Sequence, residues 1–276
     1  MSDLVVLKFG GELLEDASRL AVVVSAIGRA AGRAVPLVIV HGGGKEIDAA
    51  LKTAGIEKRQ VEGLRVTDEP TLDVVVDVLA GAVNTRLVAA LVTAGVRAVG
   101  LTGADGSIGL ADVAPPHRTV DGRSVDLGRV GIPSAVSDTT LLTTLVGAGF
   151  VPVVACIGVA GDGRLLNVNA DTLAGHLAAR LGASRLTIAG TTAGVLTGDG
   201  STAPLLDAAA IQELVSSGTA TAGMVAKLRA CEQAITSGVS DVPIIDGRDG
   251  AALDAATGGM VPSGATRIVP TMAPAR

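Results

Sequence analysis

What most limits the fold of this chain is a series of short apolar runs, each ending on glycine or a polar turn and separated by helix-length stretches. The runs are "LVVLKF" (4–9), "AVPLVIVH" (34–41), "RAVGLT" (97–102), "FVPVVACI" (150–157), "SRLTIAG" (184–190) and "DVPIID" (241–246). They are nearly continuous in hydrophobicity rather than alternating. A strand of that kind is buried on both faces, as in a parallel sheet covered by helices. Helices are expected at about 16–31, from about 45, over 68–94, and again before and after the fourth run. For the long one, Thr67 is the expected N-cap, with Asp68, Glu69 and Pro70 in the first turn. Repeated strand-then-helix units imply a doubly wound α/β sheet. Two stretches interrupt it: a charged hairpin at 56–66, and short antiparallel strands at 107–130 around Pro115, Pro116 and Gly122. Both are expected on the rim. A lobe boundary is expected near 158–171, dividing the chain into 1–165 and 166–276.

Composition narrows the class. The chain has 276 residues, of which 37 are glycine and only two are aromatic, both Phe. The core must be aliphatic, and a base-stacking surface for nucleic acid is not expected. The net charge of −5 also argues against binding a phosphate backbone. Cys156 and Cys231 lie in apolar patterns and read as buried free thiols. Met1-Ser2-Asp3 leaves no charged segment ahead of the first run, so no secretory leader is expected. Residues 139–161 carry no charge, but Gly147, Gly149 and Pro152 suit a helix, a turn and a buried strand better than a membrane span. No membrane association is expected, and the location expected is cytoplasmic.

Familiar nucleotide signatures are absent. There is no GxxxxGK[ST], no GxGxxG, no GxSxG and no HExxH. His41, His117 and His176 are scattered, and no side chain is singled out as a metal ligand. What the chain does have is two glycine loops at strand ends. Lys8-Phe9-Gly10-Gly11 closes the first run, and His41-Gly42-Gly43-Gly44 closes the second and opens a helix. Ligands of doubly wound sheets sit at the carboxyl ends of strands. Glycines there let backbone N–H groups approach an anion, and a helix start adds favourable dipole charge. A lysine at the end of an apolar strand fits the same purpose.

Two further stretches stand out. In "NVNADTLAGHLAARLGA" (167–183), Leu173, Leu177 and Leu181 form a buried helical stripe, with Asn169 or Asp171 at its start. Capping accounts for one of Asn167, Asn169 and Asp171, not for all three. In "TAGMVAKLRACEQAI" (221–235), Met224, Leu228, Cys231 and Ile235 form the stripe. Lys227 lies off it near the first turn, where a cation opposes the helix dipole unless an anion faces it.

Taken together, "LKFGGE" (7–12), "LVIVHGGGKEID" (37–48), "GLRVTDEPTLDVV" (63–75), "LAGAVNTRLV" (79–88), "AVGLTGADG" (98–106), "IGVAGDGRLLNVNAD" (157–171), "GMVAK" (223–227) and "IIDGR" (244–248) resemble the amino-acid kinase superfamily, and within it the N-acetylglutamate kinase family. The motifs occur in that family's order over essentially the whole chain. The resemblance implies an open three-layer αβα sandwich of two lobes, around a mainly parallel sheet. It implies phosphorylation of the γ-carboxylate of N-acetyl-L-glutamate by ATP with Mg2+, held mainly through the nucleotide phosphates, in arginine biosynthesis. Lys8 and Lys227 would stabilise the phosphoryl group, and Asp171 would orient them. Gly43, Gly44, Arg65, Asn167 and Asn169 would hold the acyl amino acid, with Arg65 on its α-carboxylate. Gly10, Gly11, Thr191 and Gly194 would face the nucleotide phosphates. Such transfer needs no general base, because the acceptor carboxylate is already ionised at neutral pH.

The chain departs from that family's pattern twice. Thr191 stands where the family usually has an aspartate; Asp199 and Asp207 are the candidates to replace it. No helix precedes the first strand, as one does in arginine-inhibited members, so an arginine-insensitive homodimer is expected. Two other functions fit the same residues. One is a kinase for a carrier-linked glutamate or aminoadipate, docking on Lys52, Lys58, Arg59 and Arg65. The other is a non-catalytic acyl-amino-acid sensor.

Overall fold

The structure, a computed structural model, describes residues 3–119, 121–218 and 222–270. Met1, Ser2 and Thr221, on which sequence expectations bear, lie outside these residues. Eight strands form one sheet: β1 (Val5–Phe9), β2 (Leu37–His41), β3 (Ala98–Thr102), β4 (Val151–Ala155), β5 (Arg185–Gly190), β6 (Leu205–Leu206), β7 (Val242–Asp246) and β8 (Thr266–Ile268). Their order across the sheet is β6-β8-β7-β5-β1-β2-β4-β3. Every neighbouring pair is parallel except β7 with β8. The six apolar runs are the six inner or long strands. β1, β2, β4 and β5 are buried at every position, as strands covered on both faces must be.

The helices are α1 (Ala17–Gly32), α2 (Gly44–Thr53), α3 (Glu69–Thr93), α4 (Thr140–Gly147), α5 (Ala170–Arg180), α6 (Ala208–Ser216), α7 (Ala222–Thr236) and α8 (Gly250–Thr257). α1 packs beside α3 and α8, and α5 packs beside α7. These helices cover the buried sheet on both faces, giving three layers. The core between them is aliphatic, with Phe9 its one fully buried aromatic side chain.

Several local expectations shift. The cap of α3 is Asp68, whose carboxylate accepts from the Thr71 amide; Pro70 lies in the first turn. Thr67 lies one residue ahead of that cap, and its buried hydroxyl accepts from Asn167 and donates to the Arg65 carbonyl. The middle of α3, Asp77–Val83, widens into π turns. α3 is long and apolar enough to cross a membrane by length and composition alone. It packs instead on β3, β4 and α2. The 56–66 hairpin is real (Gln60–Val61 with Leu64–Arg65). So are the rim strands of 107–130. They include Ala111–Val113 in a second, four-stranded sheet with Val130–Pro133, Leu165–Val168 and Ile157–Val159.

Candidate active site

The carboxyl ends of β1 and β2 lie side by side, with Phe9 level with His41. Their two glycine loops therefore meet. A Cβ on Gly11 would lie 2.6 Å from the Cα of Gly43, so only glycine fits. Gly43 is the N-cap of α2 and is pinned from its other side by α3. A Cβ there would come within 2.8 Å of Leu79 and 3.4 Å of Val83, both on the π turns. The start of α2 thus presents free backbone N–H groups beside the Gly10-Gly11 turn, an arrangement that favours anions.

Below the loops, His41 is fully buried and holds the second one in place. Asn84 Nδ2 donates to His41 Nε2 at 3.0 Å and to the Val153 carbonyl at 2.9 Å. That network assigns the imidazole proton to Nδ1, which faces the Gly42 carbonyl at 3.3 Å. Burial pushes the His41 pKa down to about 4, so the ring is neutral and serves as scaffold.

Lys8, the penultimate residue of β1, is only 6% exposed. Its Nζ lies 2.8 Å from Asp171 Oδ1 in the first turn of α5. Burial alone would lower the Lys8 pKa. The Asp171 charge, with Glu12 behind it, instead holds it above the ordinary 10.5. Burial would likewise raise Asp171, but Lys8 and Lys227 keep it below 3.8. Both groups are therefore charged. Asn169 is the α5 N-cap, its side chain accepting from the amides of Asp171 and Thr172. Its cap role fixes where Asp171 points.

α7 is described from Ala222, which puts Lys227 in its second turn rather than its first. Its Nζ lies 3.6 Å from the position a Cβ on Gly190, the last residue of β5, would take. β1 and β5 are neighbours. Lys8 and Lys227 thus approach Asp171 from different elements, and their charges converge above the strand ends. Cys156 and Cys231, both buried free thiols pushed up to about 12 by burial, sit against this cluster as inert apolar wall.

On the other side of the glycine loops, Arg65 is 9% exposed. Its Nη2 donates to Asp48 Oδ1 at 2.5 Å and to the Gly44 carbonyl at 3.3 Å. Its Nη1 is buried without a partner among the described residues. A buried, orphaned guanidinium nitrogen calls for an acceptor from a ligand. Asn167 donates to Thr67 Oγ1 at 3.1 Å, which sets it one residue pair from the Arg65 hairpin. A cleft of about 610 Å³ opens here, with Leu64, Asn169, Thr172 and Arg229 among its walls.

Thr191 follows β5 directly and presents a hydroxyl, not a carboxylate. Gly194 is packed against the sheet edge, where a Cβ would meet Thr266 Oγ1 at 2.5 Å. Neither suggested substitute for the missing aspartate serves. Asp199 is engaged within its own turn by Thr197 and Ser201, which hold it down to about 2. Asp207 caps α6. The basic group considered for carrier docking is also largely paired: Lys58 and Arg65 with Asp48, and Arg59 with Asp68.

A comparison with known protein families matches residues 3–246 to the amino acid kinase family. The chain belongs to the amino acid kinase family. Among relatives in this family, an acetylglutamate kinase of Novosphingobium aromaticivorans is 41% identical over 258 residues, covering 88% of this chain and 83% of the relative. One of Methanopyrus kandleri is 41% identical over 242 residues, covering 87% and 93%. Of solved structures, N-acetylglutamate synthase from Neisseria gonorrhoeae, complexed with coenzyme A and N-acetyl-glutamate, superposes with a TM-score of 0.82. It is 26% identical, covering 98% of this chain and 60% of that one. The amino acid kinase fold accounts for the placement of Lys8, Asp171 and the glycine loops above one set of strand ends.

Residue type and spacing found the glycine loops, Lys8, Asp171 and Lys227. Three participants were missed. Asp48, half-buried, and Asn84, buried, stand in helices with no local pattern that marks their roles. Glu12 closes the motif at 7–12, but nothing in its residue type separates it from an ordinary turn carboxylate.

Proposed function

We propose that this protein transfers the γ-phosphoryl group of ATP to the γ-carboxylate of N-acetyl-L-glutamate, giving N-acetyl-L-glutamyl 5-phosphate and ADP, the step that acetylglutamate kinases contribute to arginine biosynthesis. One observation carries this reading: a buried Lys8–Asp171 ion pair at the junction of two touching glycine loops, with Lys227 converging from another element. It occurs in a chain 41% identical to acetylglutamate kinases over 88% of its length.

The chemistry follows from that arrangement. A carboxylate oxygen attacks the γ-phosphorus, the bond to the bridging oxygen breaks, and ADP leaves with the electron pair. No proton moves, which agrees with His41 being locked as neutral scaffold. The difficulty is to bring two anions together in line. Lys8 and Lys227 supply positive charge over the phosphoryl oxygens, and the loop N–H groups add oriented donors. Arg65 Nη1 takes the α-carboxylate, while Gly43, Gly44, Asn167 and Asn169 enclose the acyl amino acid. Gly10, Gly11, Thr191 and Gly194 border the phosphates. Residues 1–165 then carry the acyl amino acid and 166–276 the nucleotide.

Magnesium bound with ATP would neutralise charge on the phosphate oxygens. Among the described residues, no three histidines, cysteines or carboxylates gather to hold a cation unaided. Magnesium at nucleotide sites is held largely by the phosphates and needs only one or two carboxylates from the protein. We place the enzyme in the cytoplasm, as a homodimer. β3 is the outermost strand of the sheet, and Val92 on the neighbouring α3 is 54% exposed, a face suited to a second copy.

The deciding assay incubates the protein with MgATP, N-acetyl-L-glutamate and hydroxylamine. Acyl hydroxamate above background is expected, and its absence would overturn the kinase reading. Turnover of only a carrier-linked substrate would overturn the free amino acid as acceptor.

A further inference from the structure

Glu12 occupies a place where a carboxylate is electrostatically wrong for a site that receives only phosphate. It lies in the single helical turn Gly11–Leu13 that follows β1, between Gly11 and the fully buried Leu13. Those two anchors fix its backbone. The side chain folds back over the loop: a Cβ on Gly10 would lie 2.4 Å from both carboxylate oxygens, so a glycine at 10 is what admits them. Glu12 Oε1 also lies 3.6 Å from the Cβ position of Gly190, the same point that stands 3.6 Å from Lys227 Nζ. The carboxylate therefore faces the space between the β1 loop, the end of β5 and Lys227.

Its neighbours are otherwise occupied. Asp171 is paired with Lys8. Asp246, at the end of β7 beside Gly190, is held by Arg248 Nη2 at 2.7 Å and Nε at 2.9 Å. Arg19 donates to the Glu12 backbone carbonyl at 3.0 Å, not to its carboxylate. Among the described residues, no side chain bonds to or pairs with the Glu12 carboxylate. Lys8 and Lys227 offset part of its charge, but a half-buried carboxylate with no direct partner, aimed into a phosphate loop, still favours a cation between it and the phosphates. Hard carboxylate oxygens suit magnesium, which takes one or two of them along with phosphate oxygens.

We propose that Glu12 is a ligand for the divalent cation that accompanies ATP. It thereby supplies the carboxylate that Thr191 does not provide at the neighbouring strand end. This inference rests on the ATP reading of the site. In it, Gly10 serves a second purpose besides backbone approach: it makes room for the metal-binding carboxylate.

The test measures binding, not turnover. Affinity for AMP-PNP is measured by calorimetry in EDTA and again with Mn2+, for the wild type, Glu12→Gln and Glu12→Asp. In the wild type, Mn2+ should strengthen binding. In E12Q that metal-dependent gain should fall about tenfold or more, while metal-free AMP-PNP binds as well as before or better, because a negative charge facing the phosphates is gone. E12D should recover part of the gain. Equal tightening of E12Q binding with and without Mn2+ would mean the carboxylate merely blocks the loop, and would overturn the proposal. An unchanged gain in E12Q would overturn it too. If the wild type makes hydroxamate yet E12Q keeps the full gain, only this inference fails. If the wild type binds no nucleotide in either form, the kinase reading fails with it.

Discussion

Asp171→Asn tests whether the buried ion pair is both a structural and a catalytic unit. The charges lie 2.8 Å apart with side chains about one-tenth exposed. Two unit charges at that distance attract by about 6 kcal/mol at an effective dielectric of about 20. Desolvation offsets much of this, and removing one partner of a buried pair costs about 3–5 kcal/mol, because the other charge is left stranded. Against a typical total stability of about 5–15 kcal/mol, D171N should therefore be markedly destabilised yet still foldable. Urea unfolding of D171N, Lys8→Met and the double variant closes the cycle. The double variant should be more stable than D171N, since it has no stranded charge, although both lose most of their turnover. The pH dependence has a fixed sign. Asp171's contribution is fully present above the ordinary carboxylate pKa of 3.8 and is lost as pH falls through its lower folded value. Lys8's contribution is present below 10.5 and is lost as pH rises through its higher folded value. In D171N nothing from residue 171 counters the burial of Lys8, so its pKa drops and residual kcat should increase toward acid pH. A D171N protein as stable as the wild type, with an unaltered pH–rate profile, would refute the reasoning.

Other perturbations separate the remaining parts. Gly11→Ala would force the two glycine loops apart, since its Cβ has only 2.6 Å to the Gly43 Cα; kcat/KM should fall about a hundredfold. Gly28→Ala in α1, where the nearest atom is 3.8 Å away, should instead stabilise by about 0.5–1 kcal/mol in thermal unfolding. Arg65→Lys keeps the charge but loses the fork, so KM for N-acetyl-L-glutamate should rise roughly tenfold to a hundredfold while kcat changes less. His41 stays neutral down to about 4 in the folded chain, against 6.5 unfolded. The unfolded state binds more protons between those values, so stability should fall with pH, by roughly 2 kcal/mol at about pH 5. A His41→Gln variant should lack that slope in denaturant titrations at successive pH values.

Much of the fold was legible because buried parallel strands announce themselves as unbroken apolar runs. β6 and β8 were not, since two or three residues at a sheet edge make no run. Thr67 and Asp68 are both good caps by type; which one accepts from the helix amide is settled only in three dimensions, where Asn167 takes the Thr67 hydroxyl and Thr71 takes Asp68. The π turns of α3 leave no mark on the apolar spacing, yet they bring Leu79 and Val83 onto Gly43. In the site, Lys8 was visible because a charge ending an apolar strand is anomalous. Glu12 was not, because a carboxylate in a turn is ordinary until its side chain is seen lying over Gly10.

β1 is hydrogen-bonded along its whole length to β2 on one side and to β5 on the other. The two halves of the sheet, β2-β4-β3 and β5-β7-β8-β6, are therefore not two bodies joined by a flexible strap. They are wings of one pleated plate, and Lys8 is bolted to its midline. Parting the wings at that seam would unzip a full parallel ladder. Any opening to admit ATP or release ADP must instead be a change in the plate's twist, or movement of the helices and hairpins riding on it. Lys8, paired across to Ile188 on one side and Val40 on the other, sits at the stiffest part of that plate.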